Sequence, residues 1–409
     1  MPHPSLDTCF SPSPEGKEVV YTVQDVPANS VLLARSRDEA QGFPSGTIEL
    51  AFCPETGFLT NQAFAEALVD YNEEYEATQG FSDTFSAFHR RLADDLIERY
   101  DLHGKTVLEI GCGKGEFLAL LCDRGGNEGI GFDPAYRPDR APDLAADRTT
   151  VVQDVYSEEY AHVDADFVCC KMTLEHIPDV ADFVGMVRRA VGDDRDTVVF
   201  FQMPEARRIL REGAFWDIYH EHCSYFSAGS LARLFRSQGF DVHSLWTDYD
   251  DQYLMIEARP RTGPAGSPLP EEESPRAMAA DVTRFAEQVP GRIEAWRRLL
   301  TDCRQQGRRV ALWGGGSKAV AFLTTLGLGD EVSAVIDINP HKQGTYLPGT
   351  GHEISAPAAL AANPPDIVLI MNPIYHDEIQ SSLQDMDLDP ALWHADANPA
   401  RLRPLPAAA

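Results

Sequence analysis

The chain has 409 residues and a formal charge of −29, from 35 Lys and Arg against 64 Asp and Glu. A surplus of that sign repels phosphate backbones and anionic bilayers, so neither nucleic acid nor membrane is expected as a partner. Hydrophobic residues at 43% suit a chain that buries real cores, and the length suits two or three domains.

No signal peptide and no apolar run of ~18 residues is read, so no membrane span is expected. The eight cysteines lack disulfide-type spacing, which predicts a reducing cytoplasm. Lysine occurs only at 17, 105, 114, 171, 318 and 342. A GC-rich genome and a salt-rich habitat both account for that bias.

Pro2, Pro4, Pro12 and Pro14 predict an irregular start. The stretches VLLA at 31–34 and TIELAF at 47–52, with the turn CPETGFLTN, then predict a few short strands. Cys9 and Cys53 are too few for a tetrahedral zinc site, and no metal is expected. Residues 61–100 read as helices, with Phe88, Leu92, Leu96 and Tyr100 at helical spacing. Just before that stripe, EEYEATQGFSDTFS is polar, aromatic and glycine-broken, which suits a lid or substrate loop.

Residues 101–260 alternate strand and helix, with strands predicted at 106–110, 128–132, 150–153, 166–171 and 197–202. Such alternation gives a mostly parallel sheet covered on both faces. Two last strands, near 240–246 and 252–259, are separated by a short turn and must be antiparallel. Strand 106–110 opens TVLEIGCGKG, with Glu109 inside it and Gly111, Gly113 and Gly115 in the turn that follows. The glycines permit φ > 0 and let a ligand press on bare backbone. Asp133 ends the next apolar run, 22 residues after Gly111, where an acid suits two ribose hydroxyls. Asp154, ending VVQD, either accepts from an adenine amine or caps a helix. Lys171, ending strand 166–171, is placed with this cofactor-binding set.

Residues 260–275 are rich in Pro, Gly and acid and read as a linker. From Met278 to Cys303 apolar residues recur every three or four positions. They predict one long amphipathic helix or two, with a kink at Pro290–Gly291. RVALWGGGSKAVAFL then reads as strand, triple glycine and a helix capped by Ser317, followed by Lys318. With VSAVID and DIVLIM as further strands this is a smaller α/β layer. Taken alone it could bind NAD, although the spacing fits poorly. The tail after Asn398 is expected to fray.

The densest chemistry lies in Tyr219-His220-Glu221-His222-Cys223-Ser224-Tyr225. Two imidazoles, a carboxylate and two phenols are expensive to bury for packing alone. Histidine takes a proton near neutral pH, and a carboxylate can orient it. The rival account is a polar turn or a structural hydrogen-bond cluster. H-E-H is not H-E-x-x-H, so no helical zinc site is expected. His176 in KMTLEHIPD is a second candidate base, or else a satisfied structural histidine.

These residues carry a resemblance. E-x-G-x-G-x-G is similar to motif I of class I S-adenosylmethionine (SAM) methyltransferases; the dinucleotide fingerprint G-x-G-x-x-G places its third glycine one residue later. From about residue 45 onward the chain resembles the SAM-dependent sugar C-methyltransferase family. The resemblance rests on EIGCGKG, LEHIPD, the run Tyr219–Ser227 and NPHKQGTYLPGT at Asn339–Thr350. It implies a class I SAM methyltransferase fold, α/β with an antiparallel last strand, plus a smaller C-terminal Rossmann-like domain. The corresponding division is an N-terminal zinc-module-like segment 1–60, a core 61–260, a linker 261–275 and a helix with the C-terminal domain at 276–409.

The resemblance also implies SAM as cofactor and a nucleotide-linked sugar as acceptor, methylated on a carbon beside a keto group. By position it implies a catalytic run of Tyr219, Glu221 and His222, with His222 as base. His176 matches a second active-site histidine and Tyr75 an active-site tyrosine region. Three departures stand out: Thr56 where the zinc module has a cysteine, Ala77 where an aromatic is expected, and Asp250-Asp251-Gln252-Tyr253 in place of a glycine-rich stretch. Two of them fall where substrate is held. O- or N-methylation of another small acceptor therefore stays open, as does a non-catalytic SAM- or nucleotide-binding protein.

Overall fold

A computed structural model describes residues 6–193, 196–264 and 266–402; Pro2, Pro4 and the last seven residues of the tail lie outside them. The strands in chain order are β1 Glu18–Pro27, β2 Ser45–Phe52, β3 Leu59–Asn61, β4 Thr106–Ile110, β5 Glu128–Phe132, β6 Thr149–Val152, β7 Phe167–Lys171 and β8 Val198–Pro204. They continue with β9 Ser224–Tyr225, β10 Phe240–Asp248, β11 Tyr253–Pro260, β12 Val310–Trp313, β13 Ala334–Ile336, β14 Ile354–Ser355, β15 Ile367–Ile370 and β16 Ala391–His394.

The central sheet has the order β10-β11-β8-β7-β4-β5-β6. β8 to β6 run parallel, and β11 is antiparallel to both neighbours. Its strands are apolar on both faces because helices cover both. Val107, Phe167 and Phe200 pack with Phe85, Phe88 and Phe117 from helices Asp83–Tyr100 and Glu116–Gly125. Leu108, Val168 and Phe201 pack on the other side with Val184, Leu231 and Phe235 from helices Val180–Val191 and Ala228–Ser237. The strand order reverses at β4, so a crevice opens at its carboxyl end.

A second sheet, β14-β13-β12-β15-β16, is wholly parallel and reverses at β12. Helix Pro275–Gln305 lies between this sheet and the rest, burying Phe285, Trp296 and Leu300 in one core with Leu312, Phe322 and Tyr21. It is a single helix that passes through Pro290, whose missing N–H removes one rung of the ladder.

The third sheet is antiparallel, β1-β2-β3-β9. Its last strand comes from the middle of the chain: Leu59 pairs with Tyr225 and Thr60 with Ser224. The N-terminal segment therefore clamps the run that follows His222.

Several expectations are corrected. VLLA is not a strand of any sheet; it makes isolated bridges, Leu32 to Tyr75 and Ala34 to Tyr346. β1 is instead built from EVVYTVQDVP, whose outward polar residues and left-handed Asp25 obscure the strand pattern. Residues 62–82 hold only the short 3-10 turn Glu66–Leu68, because backbone there bonds to 31–33 rather than to itself (Leu33 N–H to Glu74 O, Glu76 N–H to Val31 O). Ser317 is not a cap: Gly316 holds that position without a side-chain bond, and Ser317 Oγ meets Ser30 Oγ at 2.8 Å. The linker is docked, since buried Glu273 accepts from Ser227 Oγ at 2.6 Å and Gly229 N–H at 3.0 Å.

A buried charge cluster ties the C-terminal sheet to the core. Asp217 accepts from Arg208, from Lys318 at the start of helix Ser317–Leu326, and from Tyr219 Oη at 3.0 Å. Burial pushes the Asp217 carboxyl up, but Lys318 and Arg208 outweigh it and leave it at about 2. Removing the anion leaves two cations facing each other at low solvent exposure, a change that costs about 3 kcal/mol or more. Asp217→Asn is expected to destabilise the fold by that amount in urea melts at neutral pH, with its m-value unchanged.

Candidate active site

One cavity of about 550 Å³ lies between the two points of strand-order reversal. Its wall comes from the turn after β4, the turn after β12, the loop before helix Asp83–Tyr100, and the run after Phe215–Asp217.

The turn after β4 is bare backbone. Gly111, Gly113 and Gly115 sit at φ of 70°, 58° and 81°, and a Cβ on Gly111 would fall 2.0 Å from Thr173 Oγ1. Asp133 at the end of β5 accepts from Gly113 N–H and Ala135 N–H, both at 2.8 Å, so its carboxylate is fixed facing the turn. Burial raises the Asp133 carboxyl and these two donors oppose it. Glu109 lies buried at the end of β4 with Oε2 unpartnered among the described residues. Burial lifts its carboxyl to about 7 against the pull of Lys171. The Lys171 ammonium is 3.0 Å from His89 Nε2 and 3.7 Å above the Phe117 ring. Asp154 is no helix cap: it accepts from Val155 N–H at 2.7 Å and Tyr160 Oη at 2.6 Å. Glu109, Gly111, Gly113, Asp133, Asp154 and Lys171 all line the cavity; Gly115 stands behind the turn as the N-cap of helix Glu116–Gly125.

This set fits SAM. The exposed turn, the fixed acid after β5 and the orphaned Glu109 oxygen offer a nucleoside two hydroxyl partners and an amino-acid ammonium one carboxylate partner. Lys171 and His89 supply donors for a carboxylate.

Facing this set are Tyr75, His176, Tyr219 and His222, all on the wall of the same cavity. The His176 and His222 rings meet edge to face at 4.7 Å, and Tyr219 meets His222 likewise at 4.6 Å. Burial lowers both imidazoles, His176 to about 4 and His222 well below the ordinary value, so both are neutral at pH 7. The Tyr219 hydroxyl donates to Asp217, which commits its proton.

Glu221 is not on the cavity wall. Its carboxylate accepts from Ser30 Oγ, from Ser30 N–H at 3.2 Å and from Asn29 Nδ2 at 3.0 Å. It anchors the run rather than orienting an imidazole. His220 points away as well, with Nε2 2.3 Å from where a Cβ on Gly46 would stand.

Tyr71, Glu175, His89, Arg208 and Asp217 line the same cavity and are not among the residues singled out from the sequence. Tyr71 Oη is 2.8 Å from His176 Nδ1. Its signal was available four residues before Tyr75, and that of Glu175 one residue before His176; Asp217 becomes visible only once Lys318 folds against it.

On the other wall the turn after β12 repeats the arrangement. Gly314 has φ of 110°, Gly315 N–H donates to Asp337 at 2.9 Å, and Lys342 Nζ lies 3.7 Å from that carboxylate.

The methyltransferase-domain family matches residues 85–245 and the C-methyltransferase C-terminal domain matches residues 267–390. The C-methyltransferase NovU of Streptomyces niveus is 29% identical over 370 residues, 85% of each chain. A ubiquinone biosynthesis O-methyltransferase of Hahella chejuensis is 27% identical over 41% of this chain and 82% of its own. The calicheamicin-biosynthesis methyltransferase CalO1, solved with SAH, aligns over 43% of this chain and 54% of its own at 20% identity and a TM-score of 0.34. With a methyltransferase domain, a C-methyltransferase C-terminal domain and similarity to NovU along most of its length, the chain is a SAM-dependent methyltransferase similar to the C-methyltransferases.

Proposed function

We propose that this enzyme methylates a carbon beside a keto group of a small biosynthetic intermediate carried on a nucleotide, most simply a nucleotide-linked sugar. The observation that carries the reading is one cavity with a bare glycine turn on each side and two neutral histidines between them. The turn after β4, with Glu109, Asp133, Asp154 and Lys171, holds SAM. The turn after β12, with Asp337 and Lys342, holds the nucleotide of the acceptor. The division at 61–260 and 276–409 then separates cofactor from acceptor binding, with 1–60 clamping the catalytic run.

Bound SAM supplies an activated methyl group. The chain's own work is to free an electron pair on carbon. His222 takes the proton from the carbon beside the carbonyl and becomes imidazolium, while the carbonyl oxygen gathers the charge. Arg208 and Lys318 line the same wall, and Tyr219 joins them once its proton is no longer held by Asp217. His176 stands edge-on to His222 with its Nδ1 held by Tyr71, which fixes the ring pair. Enclosure of the site keeps water from returning the proton.

Ala77, Gln252 and Tyr253, the departures from the family pattern, also line this cavity. They favour a second reading in which the acceptor is not a deoxysugar and His222 deprotonates a hydroxyl.

His222→Asn is expected to lower kcat by 10²- to 10⁴-fold, with SAM affinity changed less than threefold by calorimetry. Unchanged turnover would remove His222 as the base. Transfer from methyl-labelled SAM followed by NMR of the product tells carbon from oxygen attachment, and no transfer to any acceptor would leave only a binding protein. Lys342→Met is expected to raise the KM of a nucleotide-linked acceptor about tenfold at unchanged kcat.

A further inference from the structure

Glu175 has no role in the chemistry above, yet it is among the most costly residues in the protein to place. It is 1% exposed, and neither carboxylate oxygen has a hydrogen-bond partner among the described residues. A buried carboxyl without partners loses its hydration and gains nothing in exchange. Beside it, His222 is 7% exposed and its Nδ1 is likewise unpartnered. One ligand atom from each of Glu175, His176 and His222 lies within 4.8 Å of the others. All three line the cavity, so a position opposite them is open.

The segments that carry these groups are fixed. Leu174–His176 follows β7 directly, and His222 precedes β9. Cys223 Sγ donates to Glu175 O at 3.5 Å and Ser224 Oγ to Ile177 O at 3.2 Å, which pins the two segments side by side. Ligand atoms of a tetrahedral site stand roughly 3.3 Å apart, so about an ångström of side-chain rotation closes the cluster.

We propose that Glu175, His176 and His222 form a three-ligand site for one divalent transition-metal ion, with Zn²⁺ the best fit, and that occupancy of this site and the action of His222 as base exclude each other. Two imidazoles and one carboxylate with an open fourth position suit zinc and its neighbours and disfavour Mg²⁺ and Ca²⁺, which take oxygen ligands. The exclusion follows because a metal-bound imidazole has no lone pair to take a proton from carbon. That half rests on the reading of His222 given above; the binding half does not.

Chelator-treated full-length protein is titrated with ZnCl₂ by calorimetry, without SAM or acceptor. One equivalent is expected to bind, and Glu175→Gln and His176→Asn are each expected to weaken it at least tenfold, with circular dichroism verifying their fold. The Cys9→Ser/Cys53→Ser double variant is expected to bind like wild type. No binding, or binding lost with the cysteines and kept in Glu175→Gln, overturns the site. Co²⁺ loading of the wild type is expected to give visible d–d bands without the intense near-ultraviolet thiolate charge-transfer band; that band would overturn it independently of any variant. In the methyl-transfer assay one equivalent of Zn²⁺ is expected to reduce turnover at least tenfold, reversed by EDTA. Full turnover with the ion bound would overturn the exclusion and count against His222 as the base, while the site itself stands on the calorimetry.

Discussion

The buried carboxylate of Glu221 holds the active-site run in place from outside the cavity. Three donors from Asn29 and Ser30 converge on it, and Ser30 also touches Ser317 at the start of the C-terminal helix. A charged oxygen pair buried this deeply is tolerated only when its hydrogen bonds are supplied. The requirement therefore forces residues 29–30, 221 and 317 to one point. One residue further on, His222 faces inward while β9 locks onto β3. A segment with little regular structure thus presents an imidazole on a rigid frame, and the N-terminal sheet has a structural role in holding it.

The two sheets facing the cavity use the same local device. In each, a parallel strand ends in a glycine turn at the reversal of strand order, and an aspartate from the next strand accepts a turn N–H: Asp133 from Gly113 and Asp337 from Gly315. The turns differ in what surrounds them. The first is backed by Glu109, Lys171 and His89, which suits a zwitterionic amino-acid end. The second is backed by Lys318 and Lys342, which suits an anion. Two adenosine-type sites would compete for one cofactor; on the proposed function, the different surroundings of the turns give each wall its own ligand.

How much of this was legible depends on whether the signal is local. The glycine turns, Asp133 at its spacing, and the alternation of the core were readable because period and spacing are properties of neighbouring residues. The antiparallel β10–β11 pair followed from a turn too short for a crossover, and Tyr249, Asp250 and Asp251 close it with three successive positive φ angles. Residues 62–82 were misread because their backbone partners lie at 31–33, and β1 because it alternates imperfectly around Asp25. Glu221 was read as an acid acting on an imidazole; only the arrival of Asn29 and Ser30, about 190 residues away in sequence, makes it an anchor. The bond from the Tyr219 hydroxyl to Asp217, itself held by Lys318 and Arg208, was likewise out of reach of the sequence.

Two positions that depart from the family pattern, Gln252 and Tyr253, belong to a polar stretch of the cavity wall. Tyr249 donates to Tyr375 at 2.7 Å, Tyr375 to Gln79 Oε1 at 3.0 Å, and Gln79 Nε2 to Tyr253 at 3.4 Å, while Gln252 reaches Asn372 at 3.0 Å. Tyr253 and Gln252 belong to the hairpin that replaces a glycine-rich stretch, and Gln79 lies two residues past Ala77. Ala77 and Tyr253 both line the cavity, one from the loop and one from the hairpin. This part of the wall is a chain of hydroxyl and amide groups whose donors are already paired with one another. An acceptor lying against this wall meets satisfied polar groups, which reject an unmatched polar substituent by the cost of breaking that chain. On the proposed function, discrimination among acceptors falls to this junction of loop, hairpin and C-terminal turn, and the chemistry to the histidines and the first glycine turn.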